Sequence, residues 1–313
     1  MNKHIFIDNL TASIGALVSG RRKFFAEGTD SMSFEELIRS IELSVPEFNS
    51  EGTFKVIAKS RIAGELDPAF RVEKWLGSDH PSIIYHHGNN ERPFDYRKIA
   101  KNSFRDIFVK ARDKFDANLI AIRAPFHNGS LKEYQQKLLQ LTNFMAMISA
   151  SVKLNEAIIQ KLREISDGPV ITCGISLGGW AVNLHRSYYN SSTAYVPLLS
   201  GAYLGELFLK SKYRKLVSKL VFQQPERIRQ LLNFQEDFKD VMATNVYPLL
   251  AIHDQYIEYD VQKKSYEGYP VRTIENGHVT GSLNTLALRD HILEVLQNSL
   301  ILEDSFNSSP VRG

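Results

Sequence analysis

Short apolar runs alternate with longer amphipathic stretches over most of this chain. Short apolar runs are typical of buried β-strands, whereas apolar residues three and four positions apart are typical of helices. Their alternation predicts a mostly parallel sheet with helices on both faces. The predicted strands are residues 82–86, 118–123, 169–173, 194–199, 246–252 and 271–274, and the predicted helices are residues 97–115, 131–165, 180–189 and 283–296. The long stretch 131–165 could be broken once.

The first part of the chain follows a different pattern. Helical patches occur between residues 9 and 48, and Ser33 is placed to cap a helix that begins at Phe34. Two β-type runs then follow, at residues 53–62 and 70–75, with glycine, aspartate and proline between them. That arrangement predicts an antiparallel pair of strands.

These patterns divide the chain into an extension, a domain and a tail. We expect a helical extension over residues 1–50 and an α/β domain over residues 51–302. The strand and helix alternation pauses at residues 204–240, where a charge-rich helical block predicts a small lid; a surface helix pair with a solvated basic face is the alternative. The polar residues 303–313 are expected to form a flexible tail.

Composition and charge exclude several classes of protein. The 313 residues are 43% hydrophobic, and 38 basic residues nearly balance 35 acidic ones, which argues against a nucleic-acid surface. The single cysteine, Cys173, lies in a predicted strand, where a buried apolar role is expected. Asp8 and Asn9 interrupt the apolar start, and no apolar run approaches the roughly 20 residues of a membrane span. A cytoplasmic protein without stable membrane insertion is therefore expected.

The stretch from Gly174 to Gly179 follows the apolar run 169–173 and predicts a nucleophile elbow. A serine on a sharp turn between a strand and a helix has strained backbone angles and crowds the residues two positions away on each side, so both must be small. Gly174 and Gly178 occupy those two positions around Ser176. Ser176 is therefore the candidate nucleophile.

A serine nucleophile needs a base and an acid that orients the base. His278 is the candidate base because it follows a predicted strand in the last loop before a helix. The candidate acid follows the strand before that one, where Asp254 is favoured because it comes directly after the apolar run. Glu258 is the alternative acid, on a longer side chain in the same loop, and Asp260 is a weaker one.

Acyl transfer also requires N–H donors that face the developing oxyanion. Leu177, directly after the serine, supplies the first backbone amide, and the turn after strand 82–86 supplies the second through Asn89 or Asn90. A metal site at the adjacent histidines 86 and 87 is disfavoured, because their side chains diverge and no spaced carboxylate completes a ligand set.

Four further residues are candidates for the wall of the substrate pocket. Arg123 and His127 follow the next predicted strand and either line the pocket or pack against the elbow loop. His87, in the turn that carries the oxyanion donors, and Trp180, in the helix after the elbow, complete the set.

These motifs together resemble the α/β-hydrolase superfamily, in its chain order of serine, acid and histidine. The resemblance covers residues 52–300, and the Asp254 loop and the residues around His278 are similar to the abhydrolase domain-containing protein 18-like subgroup. It implies an eight-stranded, mostly parallel sheet, a triad of Ser176, Asp254 and His278, and no cofactor.

The sequence therefore predicts a serine hydrolase that cleaves a carboxylic ester of a small molecule. The same residues would serve a thioesterase or a small-peptide amidase, because a triad sets the type of reaction and the pocket sets the substrate. A binding module without catalysis and a membrane-associated lipid hydrolase are the alternatives from other classes.

Overall fold

The computed structural model describes residues 2–20 and 22–307 of the chain. Within these residues, eight strands form one sheet and three short strands form another. The strands are β1 Glu42–Leu43, β2 Gly52–Lys55, β3 Ala58–Ser60, β4 Gly64–Leu66, β5 Ala69–Lys74, β6 Ser82–His86, β7 Asn118–Arg123, β8 Val170–Ile175, β9 Ala194–Leu198, β10 Leu249–Ala251 and β11 Arg272–Ile274.

The larger sheet has the strand order β11-β10-β9-β8-β6-β7-β5-β2. Neighbouring strands from β7 to β11 are parallel, while β5 is antiparallel to both β7 and β2. The predicted eight-stranded, mostly parallel sheet is therefore confirmed. The predicted antiparallel pair is β2 and β5, and the small antiparallel sheet has the order β1-β3-β4.

Helices connect the strands and cover the sheet. The α-helices are α1 Lys3–Ser19, α2 Phe34–Ser40, α3 Ser103–Ile107, α4 Leu131–Lys137, α5 Leu141–Ile165, α6 Leu177–Tyr188, α7 Leu204–Leu209, α8 Pro225–Leu232, α9 Gln235–Lys239, α10 Tyr259–Gln262, α11 His278–Ser282 and α12 Thr285–Asn307. Short 3-10 helices span Val109–Lys114, Lys212–Leu216, Lys219–Gln223 and Lys263–Tyr266. Among the residues described, no helix is both long and apolar enough for a membrane span.

Alternating side chains of β6 show how the helices pack on the two faces. Ile84 points into a cluster with Ile158 and Leu162 of α5. Ile83 and Tyr85 point to the other face, into a cluster that contains residues of α3 and α12. Successive side chains of a strand project to opposite faces, so a strand that is apolar at every position must be covered on both sides.

One predicted helix differs from the observed one, and a second is broken once, as the sequence allowed. The helix expected over residues 97–115 is wrong at its start, because α3 begins only after Asn102, whose side chain accepts a hydrogen bond from the Arg105 N–H at 2.9 Å. The stretch 131–165 is divided into α4 and α5, and carbonyl groups at the break accept the backbone N–H groups of Phe25 and Glu27. The N-terminal segment thus takes over hydrogen bonds that a continuous helix would use.

The last helix is longer than expected. α12 continues to Asn307, so the first five residues of the segment predicted as a flexible tail, 303–307, are helical. The remaining residues of that segment, 308–313, lie outside the described residues.

Candidate active site

Ser176 lies on a sharp turn between β8 and α6, at the carboxyl edge of the sheet. Its φ and ψ are 52° and −110°, a backbone conformation that non-glycine residues rarely adopt. The Ser176 N–H donates to the carbonyl oxygen of Leu198 at the end of β9, at 2.9 Å. The neighbouring strand therefore holds the turn in its strained shape.

The glycines around Ser176 are required by close contacts. A Cβ atom on Gly174 would lie 2.5 Å from the carbonyl oxygen of Gly178, and one on Gly178 would overlap the carbonyl oxygen of His86. A Cβ on Gly179 would overlap the hydroxyl of Ser200. The absence of side chains here lets α6 start directly against β6 and β9.

A chain of hydrogen bonds joins three residues that are far apart in the sequence. Ser176 Oγ lies 3.1 Å from His278 Nε2, and His278 Nδ1 lies 2.8 Å from Asp254 Oδ2. The ionised carboxylate can only accept, so Nδ1 carries the proton and Nε2 is free to accept from the serine hydroxyl. Of the three acids considered from the sequence, Asp254 is the one that contacts the histidine.

The surroundings of Asp254 hold its carboxylate in one orientation. Its other oxygen, Oδ1, accepts the backbone N–H groups of Tyr256 and Ile257, each at 2.8 Å. Burial raises the pKa of the Asp254 carboxyl; His278 opposes that shift and the negative charge of Asp8 adds to it. Glu258 lies at the start of α10, half-buried, and burial raises the pKa of its carboxyl too.

The turn after β6 lies on the other side of the serine. Gly88, Asn89 and Asn90 line the same cavity as Ser176 and Leu177. The Asn89 side chain donates to the Tyr213 hydroxyl at 3.0 Å and accepts from the Tyr134 hydroxyl, so it does not point freely into the cavity. Leu177 is the first residue of α6, where a backbone N–H has no partner within the helix.

A cavity of about 460 Å³ opens above Ser176 and His278. Most of its wall is apolar, and α7 and the 3-10 helix Lys212–Leu216 supply one side of it. The apolar and aromatic wall residues are Phe24, Phe144, Ile175, Leu177, Trp180, Leu204, Leu207, Phe208, Tyr213, Leu216, Tyr256, Ile257, Val279 and Leu283. A second cavity of about 280 Å³ adjoins it, and the two share Thr11 and Gly15 of α1 in their walls.

Of the four pocket candidates, Trp180 lines this cavity and the other three lie elsewhere. The His87 ring is buried between the Gly88 carbonyl, to which Nδ1 donates at 2.7 Å, and the Ala124 N–H, which Nε2 accepts at 3.0 Å. Arg123 turns away to donate to the Asp67 carbonyl at 2.9 Å.

His127 donates through Nδ1 to the Pro125 carbonyl at 3.0 Å and borders a small separate cavity of about 40 Å³. Because burial lowers the pKa of His127 to about 3, its ring is neutral near neutral pH. His127 and His87 are therefore packing residues of the loops beneath the site. In the part of the chain that the structure describes, no group of three or more His, Cys, Asp or Glu side chains could hold a metal ion.

Asp8 is the residue that sequence reasoning missed. Its side chain is fully buried against the loops that carry His278 and Asp254. In the sequence it is visible only as an acidic residue that interrupts an apolar stretch. The contact is made across 270 positions of the chain, so no local pattern could reveal it.

Solved structures share this architecture at low sequence identity. The acylaminoacyl peptidase of Pyrococcus horikoshii superposes with a TM-score of 0.53 at 13% identity over 88% of this chain, which spans 43% of that protein's length. Acetyl xylan esterase 1 from Thermoanaerobacterium sp. JW/SL YS485 superposes with a TM-score of 0.51 at 14% identity, over 86% of this chain and 97% of that one. The Pyrococcus furiosus esterase Pf2001 superposes with a TM-score of 0.52 at 11% identity, over 87% of this chain and 98% of that one.

Comparison with protein-family models and with curated proteins gave no match. The structural similarities, with the sheet order and the turn at Ser176, define the class of fold. The chain has the α/β-hydrolase fold.

Proposed function

We propose that this protein is a serine hydrolase that cleaves carboxylic esters through an acyl-enzyme on Ser176. The observation that carries the proposal is the continuous hydrogen-bond chain from Ser176 through His278 to Asp254, at the floor of a cavity large enough for a small organic substrate. The features around Asp254 and His278 extend the proposal to a relationship with the abhydrolase domain-containing protein 18-like subgroup.

In the proposed reaction, Ser176 Oγ adds to the ester carbonyl while His278 Nε2 takes the hydroxyl proton. The backbone N–H groups of Leu177 and of Asn89 or Asn90 stabilise the oxyanion. Collapse of the tetrahedral intermediate breaks the bond to the leaving alcohol, which receives the proton from Nε2. Water then releases the acid by the same proton route, with Asp254 stabilising the imidazolium in both halves.

The cavity wall supports an ester with an apolar acyl group. Leu204, Leu207 and Phe208 of α7 face the same space as the serine and would pack against an acyl chain. Residues 204–240, which include these positions, act in this proposal as the lid over the substrate. Thioesters and small amides fit the same chemistry, and they are separated from esters by comparing kcat/KM on substrates with a common acyl group.

Labelling with a fluorophosphonate probe tests the proposal. The native chain should react at one serine, and Ser176→Ala should abolish the labelling, because the probe needs an activated hydroxyl. Ser149→Ala removes a buried serine of α5 and should label like the native chain. Equal labelling of native protein and Ser176→Ala would contradict the assignment, and no labelling of either would favour a binding module on this fold.

A second candidate function, hydrolysis of lipids at a membrane surface, is favoured by the outer face of α1. The exposed apolar residues of this helix are Phe6, Leu10, Ile14, Leu17 and Val18, and the exposed fraction of Leu17 reaches 84%. Lys215 lies next to this helix, with its Nζ 3.0 Å from Ser13 Oγ. An apolar helix face beside basic side chains is the arrangement by which helices bind anionic bilayers.

Flotation with anionic liposomes at low and high salt distinguishes this candidate from the first. Leu17→Asp should release the protein from the liposomes, whereas Met242→Asp, at an equally exposed apolar position after α9, should not. A native chain that does not float at low salt would rule out the membrane candidate and leave the ester hydrolase unaffected.

A further inference from the structure

The α1 helix places a buried carboxylate beneath the proposed active site. Asp8 is completely inaccessible to solvent. Its Oδ2 accepts the backbone N–H of His278 at 2.7 Å, and its Oδ1 accepts that of Val279 at 3.0 Å. These are the first two N–H groups of α11, which have no partner within the helix. Asp8 thus caps the helix that begins at His278.

The residue at the N-cap position of α11 is Gly277, which has no side chain to serve as a cap. A Cβ atom there would lie 2.6 Å from Asp8 Oδ2, closer than a Cβ atom normally approaches an oxygen to which it is not bonded. The φ of Gly277 is −89°, which any residue can adopt. The glycine is therefore required by the space that Asp8 occupies, and the remote carboxylate replaces the missing local cap.

Asp8 also binds the loop that follows Asp254. Its Oδ2 accepts the backbone N–H of Gln255 at 3.1 Å, and its backbone carbonyl accepts the Tyr256 hydroxyl at 2.9 Å. Gln255 is the neighbour of Asp254, whose carboxylate bonds to the imidazole of His278. The carboxylate of Asp8 therefore forms a bridge between the loop that carries Asp254 and the loop that carries His278.

The charge of Asp8 is costly where it stands. Burying a carboxylate is unfavourable unless several donors compensate it, and a second buried carboxylate, Asp254, lies close enough to be affected by its charge. A helix that served only to cover the domain could use an apolar residue here. Three backbone N–H groups, all in the loops of His278 and Asp254, compensate this charge.

We infer that Asp8 is a positioning residue, which holds His278 and Asp254 at the separation that proton transfer from Ser176 requires. This inference rests on the proposed function. The extension before the α/β domain is then part of the active site, although Asp8 itself does not touch the substrate. Displacing a reacting group by about 1 Å can cost on the order of 100-fold in rate, so the bridge should matter for turnover.

Asp8→Asn tests the inference with little change of shape. Both oxygens of Asp8 accept N–H groups, so either orientation of an amide would point its NH₂ group at a donor. The test compares the hydrolysis of an aryl ester with that of an alkyl ester. Departure of the alcohol from the alkyl ester depends more on protonation by His278. We expect kcat per titrated active site to fall about tenfold to 100-fold on the alkyl ester, by less on the aryl ester, and KM to stay within about twofold.

Ile159→Val controls for a general loss of stability. Ile159 is buried between α5 and the sheet, outside the set of residues that contact either loop of the site, so this variant should lower Tm and leave kcat per titrated site unchanged. Unchanged kcat in Asp8→Asn, or an equal fall on both esters, would overturn the positioning role. A native chain that hydrolyses neither ester, or hydrolysis that persists in Ser176→Ala, would instead refute the proposed function.

A double-mutant cycle with Gly277→Ala tests the contact between Asp8 and the loop of His278 without an activity measurement. Gly277→Ala should lower Tm in the native chain, because its Cβ collides with Asp8 Oδ2, and should cost clearly less in the Asp8→Ala background. Equal decreases in the two backgrounds would show that Asp8 and Gly277 do not interact, and would overturn the bridge independently of the catalytic result.

Discussion

Replacing Asp254 by asparagine should reverse the hydrogen bonding of the histidine while preserving the shape of the site. Asp254 Oδ1 accepts two backbone N–H groups, so the amide oxygen would take that position and the NH₂ group would replace Oδ2, 2.8 Å from His278 Nδ1. Two donors cannot face each other, so the imidazole proton would move to Nε2. That proton would then point at Ser176 Oγ, and Nε2 could no longer accept the serine proton.

The expected loss follows from this change of tautomer. Loss of the correct tautomer in a Ser-His-Asp triad costs about 10⁴-fold in kcat, which corresponds to about 5.4 kcal/mol of transition-state stabilisation. Glu258 stands at the start of α10, outside the hydrogen-bond chain that ends at Asp254. Glu258→Gln should therefore change kcat by less than about threefold, the size of the effect of a charge that is not in direct contact with the histidine.

The assay is the steady-state hydrolysis of an activated short-chain ester, with the concentration of folded protein checked by circular dichroism. Asp254→Asn and Glu258→Gln should be compared with the native chain at the same pH. Activity of Asp254→Asn within tenfold of the native value, or a larger loss in Glu258→Gln, would refute the assignment of the acid.

Three further predictions concern the elbow, the cavity and the buried histidines. Gly178→Ala should lower the free energy of unfolding in urea by about 3 kcal/mol or more, because its Cβ overlaps the His86 carbonyl. The control Gly281→Ala, whose Cβ would have neighbours at 3.3 Å or beyond, should change it by less than about 1 kcal/mol. Equal effects of the two variants would contradict the steric argument. Leu207→Trp should fill part of the cavity and lower kcat/KM for long-chain esters much more than for acetate esters in a chain-length series; a uniform decrease would show that this wall does not bind the acyl group. Burial lowers the pKa of His86 from 6.5 to about 4, so the unfolded chain binds a proton at this residue before the folded chain does as pH falls. His86 should therefore lower the free energy of unfolding by roughly 3 kcal/mol between pH 6.5 and 4. His86→Asn should remove that part of the decrease in urea titrations, and an unchanged pH dependence would show that His86 does not cause it.

The parts of the site that could be predicted from the sequence depend on local sterics and on strand order. Ser176 with its flanking glycines is a strand-to-helix turn whose geometry is set within a few residues. His278 and Asp254 could be anticipated because the carboxyl ends of parallel strands meet at one edge of the sheet, so loops after successive strands converge. The sequence favoured Asp254 over Glu258, and in the structure Asp254 is the acid that contacts His278.

The directions of loop side chains could not be predicted. His87, Arg123 and His127 lie in loops next to the serine along the sheet edge, yet their side chains turn to backbone groups beneath the site. A buried polar side chain points toward whichever partner satisfies it, and the partners of His87 and Arg123 include Ala124 and Asp67, which lie 37 and 56 positions away. The break between α4 and α5 likewise depends on contacts with Phe25 and Glu27, whereas the start of α3 is set by the local cap at Asn102.

Periodicity and local backbone sterics are enough to predict the sheet and helix alternation, the elbow at Ser176 and the order of the residues that meet there. Which side chains line the cavity, and the position of Asp8 of α1 beneath His278, follow only from the packing of the whole chain. A hydrogen bond between residues 270 positions apart depends on which elements pack together, and periodicity shows that a face is buried without showing what covers it.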